Sequence, residues 1–273
     1  MKISVIVPTY KPREYIWECL ESIKNQTFSS EDFELIIVLN GCNEPYYSQI
    51  RGYIDQNFSR YNVNFIQTDI GGVSNARNIA LDAAIGEYIT FLDDDDFISP
   101  RYLEELYQLA SPCTVSLCYP YAFNDGEPEI QLEYGLTKVY DEYHKRTNNT
   151  INSKVRKYFS GPCMKLFHKD IIGDRRFDIR FKNGEDSIFM FHISDKISKL
   201  SFTPNTAIYY RRYRFGSAIM SKRGRKERII NNLNCIKEYT SIFIGGKYSL
   251  YFYLSRIAAE LRCIINACIT TRG

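Results

Sequence analysis

The apolar run from Glu87 through Leu92 ends abruptly in four consecutive aspartates, Asp93 to Asp96. A short apolar run of this kind reads as a buried strand. The aspartates then fall at its carboxyl end, where open α/β sheets place their ligands. Four adjacent carboxylates repel one another, so folding alone gives little reason to put them there. A divalent cation relieves that repulsion, and an oxygen-only donor set suits Mg²⁺ or Mn²⁺. The competing reading is a solvated acidic loop before a helix, with Ser99 as N-cap and Pro100 as first helical residue.

The segments before the acid run decide the fold class. Lys2–Val7, Phe33–Leu39, Val63–Thr68 and the run before Asp93 read as strands. Helical patterns fill the gaps: one from Tyr15 that stops near Asn25-Gln26-Thr27, one from about Tyr46 to Phe58, and one capped by Ser74 that runs to about Ala84. A β-α-β-α-β-α-β order predicts a mostly parallel sheet flanked by helices, with a crevice at the strand ends. Neither GxGxxG nor a Walker A sequence is present, so a nucleotide here is not held by either device. Further on, Ser99–Leu109 reads as a helix, Val115–Tyr121 as a strand, and 124 to about 150 as an irregular insert. Asp170–Ile172 and Ile188–Ile193 read as short helices, and Ser201–Arg212 as a strand.

Composition narrows the chemistry. The 273 residues are 44% hydrophobic and 25% charged, as in an ordinary globular protein. The eight cysteines form no CxxC pair and lie among apolar residues, which predicts reduced, buried thiols in a cytoplasmic protein without zinc. Three histidines make a histidine-based metal site or triad a poor fit. No cleavable leader and no apolar stretch long enough to span a membrane is expected. The net charge of +3 hides an asymmetry. From Asn205 onward 13 Lys and Arg stand against 3 Asp and Glu, a net +10, leaving 22 against 29, a net −7. A basic tail on an acidic body attracts phosphate, on a substrate or a membrane surface. No nucleic-acid reading motif accompanies it.

Five stretches taken together resemble family-2 glycosyltransferases of the GT-A fold. They are Val5-Ile6-Val7-Pro8-Thr9-Tyr10, Gly72-Val73-Ser74-Asn75-Ala76-Arg77-Asn78, Phe91-Leu92 with the acid run, Gly184-Glu185-Asp186, and Tyr209-Tyr210-Arg211 through Gly216-Ser217. The resemblance implies a Rossmann-like α/β catalytic domain over residues 1–220 and a basic C-terminal helical extension over 221–273. It implies transfer of a sugar from a nucleotide-diphosphate donor, UDP first, to a glycan or lipid-linked acceptor hydroxyl, with inversion, in bacterial surface polysaccharide synthesis. Asp93 and Asp95 match the family's DxD. Asp95 would bind Mn²⁺ or Mg²⁺ directly, and Asp93 the ribose or a metal-bound water. Asp94 fills the variable position, and Asp96 either supports the site or serves the following helix. Asp186, with Glu185 beside it, matches the base that deprotonates the acceptor. That pair also suits the start of a helix.

The same resemblance puts Pro8, Thr9 and Tyr10 at the nucleobase and Arg77 near the base and the metal carboxylates, where a plain ion pair is the alternative. Arg211, Arg214 and Ser217 would close over the diphosphate, and Lys165 would lie on the acceptor side unless it is simply a surface lysine. One departure stands out. The family places an acidic pair at the end of the second strand, and this chain has Leu39-Asn40, so Asn40 becomes the candidate reader of the base. The apolar positions Tyr248, Tyr251, Phe252, Leu254, Ile257, Leu261, Ile264 and Ile265 make the tail either an interfacial anchor on the inner face of the membrane, or a helix pair packed on the core or on a second subunit as a homodimer. A non-catalytic GT-A-fold scaffold subunit is the alternative to an enzyme.

Overall fold

The computed structural model describes residues 1–147, 149–214 and 224–269. A seven-stranded sheet runs in the order β3-β2-β1-β4-β8-β6-β9. Its first half is parallel: β1 (Ile3–Thr9) lies between β2 (Phe33–Asn40) and β4 (Tyr88–Phe91), and β3 (Asn62–Thr68) flanks β2. Helices α1 (Tyr15–Lys24), α2 (Tyr46–Asn57) and α3 (Val73–Ala83) make the crossovers. β1 and β2 are buried along their whole length, which is why they read as unbroken apolar runs rather than alternating ones. Each such Val, Leu or Ile contributes roughly 1.5–3 kcal/mol by leaving water. β1 extends through Pro8, beyond the expected end at Val7. β4 pairs with it only as far as Ile6, so Pro8 has a single strand neighbour and its missing N–H is tolerated.

The second half departs from the expected pattern. The single strand expected over 115–121 is two strands, β6 (Thr114–Leu117) and β7 (Tyr119–Asn124), and the chain changes sheet at Cys118. The strand expected over 201–212 is likewise β9 (Lys199–Phe202) in the large sheet and β10 (Ile208–Tyr213) in a small one. That small sheet has the order β5-β10-β7, with β5 (Phe97–Ile98) following the acid run. β8 (Lys165–His168) pairs antiparallel with β4 and β6.

Two expected caps are not caps. Gly72 takes the N-cap position of α3, with Ser74 inside the first turn. Helix α4 (Tyr102–Gln108) starts after Arg101, while the Ser99 hydroxyl donates to the Thr206 carbonyl and accepts from the Ile208 N–H. The insert expected to be irregular contains α5 (Gly135–Tyr143), and α6 (Lys169–Ile172) and α7 (Glu185–His192) follow.

The C-terminal pair α8 (Arg225–Ile244) and α9 (Leu250–Ile269) packs against α7 and residues 155–160. Tyr239 shares a hydrogen bond with Ser187 at 2.6 Å, the Tyr248 hydroxyl donates to the His192 carbonyl at 3.0 Å, and Arg256 donates to the Phe159 carbonyl. The apolar stripe read from the sequence therefore divides. Phe252 is buried in the core, while Tyr251, Leu254, Leu261 and Ile265 face outward.

Candidate active site

Four adjacent aspartates leave β4, and each finds a different partner. Asp93 Oδ1 accepts from Arg77 at 2.9 Å. Asp94 Oδ2 accepts from the Thr9 hydroxyl at 2.5 Å. Asp95 Oδ2 accepts from Arg214 Nε at 2.6 Å, and its carbonyl accepts from Arg212 Nε at 2.8 Å. Asp96 is buried and accepts from the Tyr209 hydroxyl at 2.7 Å and the Arg212 backbone N–H at 2.8 Å. Asp96 thus fastens β10 to the acid run and does not serve the following helix. The Tyr209 hydroxyl also accepts from the Asp93 N–H at 3.2 Å.

Burial and mutual repulsion raise the proton affinity of this group. Burial, then the charges of Asp95 and Asp93, pushes Asp94 up to about 7 against the pull of Thr9. Burial and the Asp93 charge also raise Asp95 and Asp96. A cation would relieve this, and Arg214 already supplies one at Asp95. The oxygen donors of Asp93 and Asp95 fit a hard divalent ion. Among the described residues no group of three or more His, Cys, Asp or Glu converges, so an ion here would take its other ligands from diphosphate and water.

Arg77 on α3 is 3% exposed and joins the two ends of the site. One terminal nitrogen donates to Asp93 and the other to Asp186 Oδ1 at 2.6 Å, while the guanidinium lies over the Phe177 ring at 5.3 Å. Asp186 and Glu185 occupy the first turn of α7, where negative charge complements the helix dipole. Gly184 before them has φ +91°, and a Cβ there would lie 2.9 Å from Cys235 Sγ on α8, so only glycine fits. The C-terminal hairpin thereby presses on the turn that carries Asp186. Burial raises the Asp186 carboxyl and Arg77 draws it back, the net being upward. A half-buried carboxylate of raised proton affinity is suited to act as a base.

At the expected nucleobase end, Tyr10 is 54% exposed and forms a wall beside Gly41, while Pro8 and Thr9 are buried. Asn40, the candidate reader of the base, is held by backbone groups on either side of it. Its Nδ2 donates to the Thr9 carbonyl at 2.7 Å and its Oδ1 accepts from the Gly72 N–H at 2.8 Å. It is 3% exposed and ties β1 to the start of α3 through one amide N–H and one side of its oxygen.

The basic segment divides by strand alternation. Arg212 and Arg214 turn to the acid run. Arg211 turns the other way, into a cavity of about 440 Å³ that Asp93, Asp96, Asp186 and Tyr209 also line. Arg211, expected over the diphosphate, donates to the Tyr134 hydroxyl at 2.8 Å. Ser217 lies outside the described residues. Lys165 is not a surface lysine. Its buried ammonium donates to the Gly161 and Cys163 carbonyls at 2.6 and 2.5 Å, so it shapes the cavity wall from behind rather than facing an acceptor. Burial pushes it down to about 8.

Sequence reasoning missed Tyr134, Gly135 and Lys157, which also line the cavity. The signal was present: Leu136, Val139, Tyr140 and Tyr143 recur at helical spacing within the supposed insert.

The carboxylates of the acid run gather at the carboxyl end of β4, the central strand of a mostly parallel sheet with helices on its faces. The chain belongs to glycosyl transferase family 2, whose family model matches residues 4–176. Glycosyltransferase GlyA of Streptococcus pneumoniae is 29% identical over 228 residues, covering 79% of this chain and 31% of that protein. The poly(ribitol-phosphate) beta-glucosyltransferase of Bacillus spizizenii is 29% identical over 220 residues, 77% of this chain and 32% of that one. This chain spans about a third of the length of these two relatives. In fold it resembles residues 1–349 of TarS from Staphylococcus aureus, solved with UDP-GlcNAc, at a TM-score of 0.73 and 23% identity over 97% of this chain and 73% of that one.

Proposed function

We propose that this chain is an inverting, metal-dependent glycosyltransferase of bacterial surface polysaccharide synthesis, using a nucleotide-diphosphate sugar and a glycan or lipid-linked acceptor. The observation that carries the reading is the Arg77 bridge. One guanidinium holds Asp93, of the donor-side pair, and Asp186 at the edge of the same cavity. Asp186 takes the proton of the acceptor hydroxyl, whose oxygen forms the new bond to the anomeric carbon. The bond to the diphosphate breaks on the opposite face and its electron pair leaves with the diphosphate. Mn²⁺ or Mg²⁺ held by Asp93 and Asp95 would stabilise that leaving charge as a Lewis acid. Arg214, beside Asp95, adds a guanidinium suited to phosphate oxygens.

UDP is the first choice of donor, in keeping with the family and with the UDP-GlcNAc bound by TarS. With Asn40 engaged, selection of the base would fall to the walls around Thr9 and Tyr10. No described helix is long and apolar enough to cross a membrane. The outward apolar residues of α9, with Arg225, Lys226 and Arg228 opening α8, support peripheral contact with an anionic inner membrane surface from the cytoplasmic side. A homodimer through the same face is the competing arrangement.

A panel of UDP-, GDP- and dTDP-sugars, scored by thermal shift and donor hydrolysis with Mn²⁺ and again with EDTA, tests the reading. One nucleotide class should raise Tm with Mn²⁺, and EDTA should remove most of the gain. No stabilisation by any nucleotide in the presence of metal would sink it.

A further inference from the structure

The cavity beside Asp186 has a wall that the transfer step above does not use. Lys157, Arg211, Tyr134 and Gly135 form it, and Asp93, Asp96 and Asp186 line the same cavity. Among the described residues Arg77, Arg212 and Arg214 each form an ion pair with a carboxylate, whereas Arg211 and Lys157 form none. Arg211 is half-buried, and its hydrogen-bond partner is a neutral phenol, Tyr134. The guanidinium also lies 5.7 Å from the Tyr134 ring centre and 5.4 Å from that of Tyr213. Aromatic faces recover only part of what a cation loses on leaving water, which leaves Arg211 able to take an anion. Lys157 Nζ reaches within 3.9 Å of where a side chain on Gly135 would begin. Gly135 opens α5, whose N-cap residue makes no side-chain cap, so the helix adds its positive end to the two cations.

We propose that the acceptor carries a phosphate group and that Lys157 and Arg211 bind it, leaving the acceptor hydroxyl directed to Asp186. The assignment rests on the transferase reading. The donor diphosphate is the other source of phosphate in such a site. Strand alternation separates the two: Arg212 and Arg214 turn to Asp95, and Arg211 turns into the cavity. The charge-assisted fork of an arginine beside a lysine suits a phosphate mono- or diester, which neutral sugar hydroxyls do not replace.

The test titrates glycerol 3-phosphate, with glycerol as control, into the full chain saturated with Mg²⁺ and the nucleoside diphosphate that the panel selects. Glycerol 3-phosphate should bind and glycerol should not. Lys157→Gln and Arg211→Gln should each weaken that binding about tenfold, the scale of one charge-assisted contact. Nucleoside diphosphate affinity should stay within about twofold in Lys157→Gln by the same scale. Lys157 is exposed, so its variant keeps the test readable if Arg211→Gln fails to fold. Absence of phosphate binding, equal binding by Lys157→Gln, or displacement of glycerol 3-phosphate by the nucleotide would overturn the proposal, the last by giving both cations to the donor. Failure of every nucleotide to bind would instead remove the transferase reading beneath it.

Discussion

On the donor side of the cleft the arginines meet carboxylates: Arg77 meets Asp93 and Asp186, Arg212 meets Glu18 and Asp125, and Arg214 meets Asp95. On the opposite side Arg211 meets a phenol and Lys165 meets two backbone carbonyls. The difference lies in what each side has to do before a ligand arrives. The donor side must hold several carboxylates together, and interleaved guanidiniums lower that repulsion. The other wall carries Arg211 and Lys157 with no ion pair of their own among the described residues, beside a cavity that Asp93, Asp96 and Asp186 also line. One side is balanced by ion pairs within the chain, and the other leaves two cations open to an anion.

The largest effect expected from breaking this contrast comes from Arg77→Met. It leaves Asp93 and Asp186 facing each other without the cation. Breaking a fully buried pair costs about 3–5 kcal/mol, and partial exposure of both carboxylates discounts this to about 2–3 kcal/mol. Urea unfolding should show a midpoint lowered to match. An unchanged midpoint with lost transfer would make Arg77 a ligand contact rather than a brace.

Asp186→Asn keeps the shape and removes the base. Transfer should fall by about 100-fold or more while donor affinity is nearly preserved. Single-turnover transfer of a labelled sugar reads the first quantity and nucleotide titration the second. Normal transfer would take the base role away from Asp186.

Asn40→Ala sharpens the comparison at the donor edge. It strands the Thr9 carbonyl and the Gly72 N–H, at a cost of about 2 kcal/mol. Its ranking of UDP, GDP and dTDP should match that of the unmodified chain. An altered ranking would show that the amide reaches the base after all.

Much of the donor half was legible along the chain. Continuous apolar runs made β1 to β4 readable because a parallel sheet covered on both faces needs no polar alternation. The Asp run stood out because adjacent carboxylates at a strand end have few structural reasons to cluster, whereas Arg77 and the Glu185-Asp186 pair were marked by the resemblance to the family. The half after Asp96 was harder. Ile208–Tyr213 reads as one stretch with the residues before it, yet the chain crosses to a second sheet between β9 and β10. Periodicity gives a strand's existence and not its partner. Asn40 stood where the base is expected to be read, but its own backbone neighbourhood claimed both ends of its amide.

The sequence by itself determined that strands and helices alternate, that carboxylates collect at one strand end, and that the tail is basic. Those are properties of local pattern and of charge, which need no partner to be read. Only the tertiary structure decided that Arg77 joins Asp93 to Asp186, which lies 109 residues along the chain from Arg77. It alone turned Arg211 toward the cavity while its neighbour Arg212 faced the acid run, and it made four adjacent aspartates inequivalent. A hydrogen bond or an ion pair depends on distance in space. Here those distances were set by which strands came to lie side by side, and composition does not carry that information.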